Sequence, residues 1–540
     1  MVRTYLLLTF LTLTLFWLRS RVKPRVAPRN AEESDPAYWA EEARIGIERV
    51  LANGLGGSGG MARNVILFLG DGMSVPTLAA ARTLLGQRRN HTGEEAQLFF
   101  ETFPTIGLAK TYCVDGQIPD SACTATAYLC GVKTNVGTIG VAAGPRASCS
   151  DPAPAAVHSM AAWALADGRD AGLVTSTRVT HASPSGAFAH VRDRDWESDA
   201  DVAEDCPARP APASPLPRPP QQPHVPRDIA HQLVHDHPGN QFKVILGGGR
   251  RELLPVTVQD EEGSWGRRLD GRNLIEEWQM DKTARNVSHQ YVWNREQLLQ
   301  ANDSMPEYLL GLFESSHLQY NLQRDPTTEP TLAELIEVAV RSLRRNDKGF
   351  FLFVEAGRID HAHHDNYVEL ALDETIELAA AVQRATELLD EEDSLIVVTS
   401  DHSHVMAFNG YTQRGGDILG PSDDLGDDGI PYMTLSYANG PGHRAHEAHG
   451  RADVTADQDY RQLEWRSHAE VPLDSETHGG DDVAVFAHGP HHTMFTGLYE
   501  QSQIPHRMAY IACLGSGPTL CDRTCNVILQ APVHNHLSKR

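Results

Sequence analysis

Four continuous apolar runs form the main hydrophobic pattern of the chain. They cover residues 64–69, 242–246, 349–354 and 394–399. Runs of this length without polar alternation are typical of strands that are buried on both faces of a parallel sheet. Between them, residues 332–345 and 370–389 show helical spacing of apolar residues with charged outer faces. The alternation predicts an α/β fold, in which helices flank a large, mostly parallel central sheet on both faces.

Interruptions of this pattern give the expected domain organisation. A basic and apolar leader covers residues 1–20, one large domain covers residues 30–525, and residues 526–540 form a tail. Residues 207–226 hold nine prolines, which exclude them from helix or sheet interiors and indicate an extended surface insert. Residues from about 410 to 475 are rich in Gly and Asp, which predicts a smaller, irregular subdomain.

The composition and acidic charge of the chain limit the classes of protein and of binding partner that are compatible with it. The 540 residues include 47 Lys and Arg against 71 Asp and Glu, a formal net charge of −24, and 41% of the residues are hydrophobic. This hydrophobic fraction excludes a wholly disordered protein. The charge argues against a nucleic-acid partner, because a polyanion attracts Lys and Arg. A small phosphorylated molecule stays compatible, because its binding depends on the local charge of a site.

The N-terminus predicts entry into the secretory pathway. Residues 5–18 are a mostly apolar run behind a basic start, which suits a signal peptide and is short for a membrane span of about 20 residues. The Arg19-Ser20-Arg21 sequence that follows lacks a small-x-small cleavage site, so an uncleaved signal anchor stays an alternative. We therefore expect the protein at the cell surface or outside the cell.

Sequons and cysteines agree with this route. Asn90, Asn286 and Asn302 each begin an Asn-x-Ser/Thr sequon, although such motifs also arise by chance. Eight cysteines without a CxxC pair suit an oxidising compartment better than zinc or redox chemistry. The C-terminus ends in charged residues without an apolar tail, so no glycolipid-anchor signal can be read in it.

Three of the predicted strands end in a carboxylate. Asp71, Glu355 and Asp401 follow the runs at 64–69, 349–354 and 394–399. The carboxyl ends of parallel strands meet at one edge of a sheet, so these side chains can converge there. Nearby histidines include His364, which a helix would place on one face with Asp360, and oxygen and imidazole together suit zinc. Each acid alone is better explained by a turn or a helix cap, but the three together with the paired histidines predict a metal site.

Two further residues suit an anionic substrate. Ser121 lies near the start of an apparently helical run, where free N–H groups favour an alkoxide or a phosphate, although a serine there is usually just a cap. Arg194 could offer a bidentate fork to phosphate, although an isolated arginine is more often solvated. His478 stands alone before an apolar run, and nothing local assigns it a function.

At this point the chain resembles the metal-dependent alkaline phosphatases, most closely the animal membrane-type enzymes. The matching strings are FLGDGMS at 68–74, PDSACTATAYLCGVK at 119–133, TRVTHASPSGAFAH at 177–190, FLFVEAGRIDHAHH at 351–364, TSDHSH at 399–404 and ETHGGDDVAVFAHGP at 476–490. They stand in the family's order and span about residues 35–525. The resemblance implies that residues 30–525 are a catalytic domain with a crown-like subdomain at about 410–475.

The resemblance also implies residue roles, two zinc ions and one magnesium ion per subunit, and a homodimer. Ser121 matches the nucleophile that becomes phosphoserine, and Arg194 matches the arginine that grips phosphate. The ligand sets are Asp360, His364 and His478 for one zinc, Asp71, Asp401 and His402 for the other, and Asp71, Ser183 and Glu355 for magnesium. His181 and His404 match histidines just outside the ligands. Two such metals can clamp the attacking and leaving oxygens of an in-line displacement.

A calcium site and two disulfides, Cys149–Cys206 and Cys513–Cys521, follow from the same resemblance, and a third disulfide is expected where this chain departs from it. Glu262, the Phe313 carbonyl, Glu314 and Glu329 align with the family's calcium ligands, where Glu329 replaces a usual Asp; solvated surface acids are the alternative. The expected disulfides are Cys113–Cys123, Cys149–Cys206 and Cys513–Cys521. The first departs from vertebrate relatives, which have Gly at position 123, so free thiols stay an alternative there. The proline-rich insert is foreign to the family pattern and is either a tolerated loop or an error in the gene prediction.

The resemblance therefore implies a broad-specificity phosphomonoesterase that acts at alkaline pH on small phosphate monoesters. Phosphodiesterases and sulfatases of the same superfamily are an alternative, but they typically use a Thr or a modified Cys where this chain has Ser121. A surface-binding receptor with incidental phosphatase activity is a second alternative. Membrane attachment through a glycolipid anchor is common among the animal relatives and stays open here.

Overall fold

A computed structural model describes residues 31–144, 149, 152–207, 226–446, 450–457 and 460–521. The predicted leader at 1–20, the tail at 526–540 and residues 208–225 of the proline-rich insert lie outside these ranges. Among the described residues, none of the helices is both long enough and apolar enough to cross a bilayer.

A ten-stranded sheet forms the centre of the fold. Its strands, in spatial order, are β17 (Gly497–Glu500), β2 (Thr105–Lys110), β16 (Val483–His488), β8 (Ser394–Thr399), β1 (Asn64–Gly70), β7 (Phe350–Ala356), β3 (Asp170–Arg178), β4 (Val244–Gly248), β6 (Tyr308–Leu312) and β5 (His289–Val292). Every neighbouring pair is parallel except the two pairs that β16 makes with β2 and β8. The predicted mostly parallel sheet is confirmed.

Helices cover both faces of this sheet. The α-helices of the described residues are Pro36–Ala52, Val75–Arg88, Ser121–Cys130, Met160–Ala166, Ala182–Ser185, Asp199–Asp205, Ile229–His235, Arg250–Leu253, Leu274–Ala284, Arg295–Ser304, Leu332–Leu343, Arg358–His364, Val368–Leu388 and Gln503–Ala512. Short 3₁₀ helices cover Ala31–Ser34, Phe99–Thr102, Ala153–Ala155, Gly239–Gln241, Val454–Ala456 and His492–Phe495. The four apolar runs and two helical patterns of the sequence lie within two residues of the observed bounds.

The central strand β1 shows why the sheet must be covered on both sides. Val65 and Leu67 pack in one hydrophobic core, and Ile66 and Phe68 pack in another. Successive side chains of a strand point to opposite faces, so a strand that is apolar at every position needs a core on each face. All seven residues of β1 are buried.

Three small sheets lie outside the central one. Strands β10 (Met406–Phe408), β13 (Leu435–Gly440) and β14 (Ala469–Pro472) form one, and β11 (Pro421–Leu425) pairs with β12 (Pro431–Met433). Strand β9 (Ser403–His404) pairs antiparallel with β15 (His478–Gly479), which places His404 opposite His478. This last pair connects two segments that are far apart in sequence and places a distant histidine beside the end of β8.

The expected disulfides form in the structure, and the three sequon asparagines differ in exposure. Disulfides join Cys113 to Cys123, Cys149 to Cys206 and Cys513 to Cys521, while Cys130 is a buried free thiol. Asn90 and Asn286 are exposed and adopt positive φ angles of 62° and 55°, as turn residues often do. Asn302 lies within the helix Arg295–Ser304 and is half-buried, so its sequon is the least accessible of the three.

Candidate functional site

The polar side chains expected to form a site meet at the carboxyl ends of β1, β7 and β8, which are neighbours in the sheet. Leu69, the second-last residue of β1, lies opposite Glu355 of β7 on one side and Thr399 of β8 on the other. Asp71 and Asp401 follow within two residues of these positions. We call the convergent set the strand-end cluster: Asp71, Ser121, Ser183, Glu355, Asp360, His364, Asp401, His402 and His478.

The first part of this cluster places Ser121 beside a carboxylate pair. The Nε2 of His402 lies 3.2 Å from the Oγ of Ser121, 3.0 Å from the Oδ2 of Asp401 and 3.6 Å from the Oδ1 of Asp71. The Nδ1–H of His402 donates to the Ser403 carbonyl at 3.3 Å, so its Nε2 offers a lone pair to this group. Asp401 is held in turn by the N–H groups of Gly72 and His402, at 2.9 and 2.8 Å.

Ser121 is the first residue of the helix Ser121–Cys130 and is 1% exposed. Asp120 caps this helix by accepting from the Cys123 N–H at 3.2 Å, and it also accepts from the Gly137 N–H at 2.9 Å. The Nη1 of Arg194 donates to Asp120 at 3.2 Å, and its Nη2 lies 3.3 Å from His181. Two of the five guanidinium N–H donors are therefore oriented by protein, and others stay available for an anion above Ser121.

The second part is built on Asp360, whose Oδ1 lies 3.4 Å from the Nε2 atoms of both His364 and His478. These two nitrogens are 3.2 Å apart. The Nδ1 of His364 donates to the Glu476 carbonyl at 2.6 Å, and that of His478 donates to the Pro119 carbonyl at 2.8 Å. Each Nε2 therefore carries a lone pair, and two facing lone pairs with a carboxylate are a typical arrangement for a bound cation.

His404 lies against this second part without offering it a lone pair. Its Nε2 donates to Asp360 at 2.6 Å, and its Nδ1 donates to the Oε2 of Glu476. Burial lowers the pKa of His404, but the carboxylates of Glu476 and Asp360 outweigh burial and raise the pKa to about 10. The stacked rings of His402 and His478, with centroids 3.5 Å apart, join the two parts of the cluster.

The third part surrounds Glu355. Its Oε2 accepts from the hydroxyls of Thr177, at 3.0 Å, and Thr175. Ser183 donates to the Oδ2 of Asp71 at 3.2 Å, which connects this part to the first. The Nδ1 atom of His181 is buried and has no hydrogen-bond partner among the described residues. Burial, followed by the nearby Arg194 guanidinium, holds the pKa of His181 well below its usual value.

Buried oxygens without partners show that these residues fit metal ions. Three buried oxygens, Asp71 Oδ1, Asp401 Oδ2 and Glu355 Oε1, have no hydrogen-bond partner among the residues that the structure describes. Burial and then the carboxylate of Asp401 raise the pKa of Asp71 well above its usual value, and burial raises that of Glu355 to about 7. Unpaired buried carboxylates are costly, and a cation among them removes the cost. Close ligand groups include Asp71 with Asp401 and His402, and Asp71 with His181 and Glu355.

The residues expected to bind calcium are arranged differently, and we call the three carboxylates Glu262, Glu314 and Glu329 the outer acidic group. They are not among the close ligand groups found in the described part of the chain. Glu262 pairs with Arg250, and Glu329 accepts from the Gln319 N–H at 2.8 Å. Burial and then Glu314 raise the pKa of Glu329 to about 8. Phe313 is buried, and its N–H donates to the Gly247 carbonyl at 2.9 Å.

Several residues that orient the site were not singled out from the sequence. Thr175 and Thr177 hold Glu355, Asp120 holds Arg194, and Glu476 holds His404. The threonines lie one strand away from Glu355, with Thr175 directly opposite it in the register of β3 and β7. The residue pattern of β3 could have shown them, because two hydroxyls at i and i+2 share one face of a strand otherwise buried and mostly apolar.

Comparisons with known proteins agree with this geometry. The sequence profile of the family "Alkaline phosphatase" matches residues 62–514. The chain is 60% identical over 506 residues to a membrane-bound alkaline phosphatase of Bombyx mori, covering 92% of this chain and 88% of that one. It is 43% identical over 503 residues to the human tissue-nonspecific isozyme, covering 91% of each chain.

Solved structures show the same architecture. The crystal structure of Thermus thermophilus alkaline phosphatase matches with a TM-score of 0.59 at 23% sequence identity, covering 89% of this chain and 98% of that chain. This likeness concerns the fold alone, whereas the family profile and the relatives of much higher identity extend to the strand-end cluster. The chain therefore belongs to the alkaline phosphatase family.

Proposed function

We propose that this chain hydrolyses phosphate monoesters of broad range through a phosphoserine on Ser121. The observation that carries the proposal is the placement of the Ser121 Oγ, 3.2 Å from the Nε2 of His402 and at a helix N-terminus, beside buried carboxylate oxygens without partners. In the first step the Oγ of Ser121 forms a bond to phosphorus while the bond to the leaving oxygen breaks. In the second step water displaces Ser121 and releases phosphate. Two in-line displacements predict net retention at phosphorus.

The protein groups around Ser121 orient the phosphate. Arg194, fixed by Asp120 and His181, would donate to two phosphate oxygens, and the free N–H groups of the helix N-terminus would stabilise the same negative charge. The half-exposed His364, with 29% side-chain exposure, marks the open side of the cluster, where a leaving group can depart. We infer few contacts beyond the phosphate, which supports a broad substrate range.

We propose two zinc ions and one magnesium ion as the cofactors. Asp360, His364 and His478 would hold one zinc, Asp71, Asp401 and His402 the other, and Asp71, Ser183 and Glu355 the magnesium. When bound, the zinc ions would lower the pKa of the Ser121 hydroxyl and of water and would stabilise the leaving oxygen. Mixed oxygen and imidazole donors support zinc, and the all-oxygen set around Glu355 supports magnesium. Calcium at the outer acidic group is a separate proposal, supported by burial and by the Glu314 carboxylate, which together raise the pKa of Glu329.

We also propose a cellular location and an oligomeric state for this protein. We propose a protein at the outer cell surface or in the extracellular space, supported by the predicted leader and the disulfides, with glycolipid attachment as one means of anchoring. A homodimer is supported by the apolar side chains of Ile106, Leu108 and Leu498, which are exposed on β2 and β17. Light scattering of the purified chain would measure its mass.

The test of the activity is hydrolysis of an aryl phosphate at alkaline pH, beside a phosphate diester and a sulfate ester. We expect monoester turnover that a chelator abolishes and that zinc with magnesium restores. Preference for the diester or the sulfate ester would favour the other enzymes of the superfamily. A folded, zinc-loaded preparation without any turnover would contradict the proposal and leave the binding-protein alternative.

A further inference from the structure

Glu476 lies behind one part of the strand-end cluster and contacts two of the histidines there. It is 1% exposed and lies two residues before His478. Its Oε2 accepts from the Nδ1 of His404, and its Oε1 accepts from the Val405 N–H at 2.8 Å. Its own N–H donates to the His364 carbonyl at 2.8 Å, and its carbonyl accepts from the Nδ1 of His364 at 2.6 Å. A single residue thus contacts two histidines, one by its side chain and one by its main chain.

The two histidine contacts fix the orientation of two proposed zinc ligands, His364 directly and Asp360 through His404. The main-chain contact holds the Nδ1 proton of His364, which leaves the Nε2 lone pair toward Asp360. The side-chain contact holds His404, whose Nε2 donates to the Oδ1 of Asp360 at 2.6 Å. Glu476, His404 and Asp360 therefore form a carboxylate–imidazole–carboxylate chain that fixes Asp360 from behind.

We propose that Glu476 is the positioning residue of the metal site formed by Asp360, His364 and His478. Its side chain acts on Asp360 through His404, and its main chain acts on His364 directly. Among the described contacts of Glu476, none involves Asp71 or Asp401, so we expect its effect to be specific to one of the two zinc sites. The proposal rests on the zinc binding proposed above, but it does not depend on the substrate.

The decisive measurement is the zinc content and zinc affinity of variants, determined by mass spectrometry after dialysis against a graded chelator. Glu476→Ala removes the side-chain contact and keeps the main-chain contact with His364. We expect this variant to hold one zinc firmly, while the second binds about 10–100-fold more weakly than in the parent. Glu476→Gln keeps an acceptor for the Val405 N–H. Its affinity for the second zinc should lie between that of Glu476→Ala and that of the parent. If Glu476→Ala does not fold, Glu476→Gln carries the same test.

A double-mutant cycle separates this role from a general structural one. His404→Ala and Glu476→Ala should each weaken the same zinc, and the double variant should weaken it little further, because Glu476 acts through His404. Glu101→Ala is the matched control, because Glu101 is a largely buried carboxylate paired with Arg82 elsewhere in the fold, and it should keep both zinc ions. Parent affinity at both zinc sites in Glu476→Ala, equal weakening of both, or additive effects would each overturn the proposal. Zinc binding without monoester turnover in the parent would contradict the proposed activity alone.

Discussion

The strand-end cluster and the outer acidic group contain similar side chains that differ in their hydrogen-bond and ion-pair partners. In the first, three buried oxygens, on Asp71, Glu355 and Asp401, have no hydrogen-bond partner within the described part of the chain. In the second, Glu262 pairs with Arg250, and Glu329 accepts a main-chain N–H. A chain with a net charge of −24 offers acidic neighbours in many places. Convergent oxygens that the protein leaves unpaired distinguish the metal site, and the number of acids does not.

The largest expected effect comes from the nucleophile. Ser121→Ala should lower kcat for an aryl phosphate by more than about 10⁴-fold, because it removes the Oγ that lies at the helix N-terminus beside His402 and would form the covalent intermediate. Trapping at low pH followed by mass spectrometry should find phosphate on Ser121 in the parent and none in the variant. Ser185→Ala is a matched control, because Ser185 is a buried serine whose Oγ has no partner. Near-parent turnover in Ser121→Ala would show that the strand-end cluster works without this serine.

The comparison of the two regions is tested most directly by replacing one carboxylate in each of them with alanine. Asp401→Ala should lose one zinc and about 10²–10³-fold in kcat/KM, since the lost metal supplies several kcal/mol of transition-state stabilisation. Glu262→Ala should keep both zinc ions and near-parent turnover, because Glu262 contacts Arg250 and lies outside the cluster. Zinc content and kinetics are measured on the same preparations. Equal losses in both variants would remove the distinction between the regions.

Arg194 should have a smaller effect than a metal ligand. Arg194→Ala removes charge-assisted hydrogen bonds worth about 1.5–3 kcal/mol, which is about 10–100-fold in kcat/KM. Zinc content should not change, because Arg194 contacts Asp120 and His181 and none of the proposed zinc ligands. Inhibition by inorganic phosphate should weaken by a similar factor. Unchanged phosphate inhibition would mean that the guanidinium does not reach the substrate.

Most of the fold could be predicted because buried parallel strands are apolar at every position, as in β1 and β8. The antiparallel direction of β16 could not be predicted, because an apolar run has the same composition in either direction. The loops that connect a strand to its neighbours determine its direction. Asp71 and Asp401 could be found from their places after strands. His478 could not be assigned from its own surroundings, because its role arises from the pairing of β15 with β9 across the chain. The side chain of Glu476 acts through His404, and single-sequence patterns do not show such contacts.

The smallest effect is expected at the outer acidic group, where calcium would replace partners that the protein already supplies. With zinc and magnesium retained, calcium at about 3 mM should stabilise the parent by about 1–2 kcal/mol, given dissociation constants of about 10⁻⁴–10⁻³ M for extracellular sites. For a chain of this size that is a rise in Tm of about 1–2 °C, which scanning calorimetry resolves. Glu329→Gln should abolish the rise, because it removes the most buried carboxylate of the group and relieves its repulsion with Glu314. Glu101→Gln is the control and should keep the rise. If calcium shifts neither protein, Glu262, Glu314 and Glu329 are neutralised by Arg250 and main-chain donors alone, and the strand-end cluster is the region where carboxylates require metal.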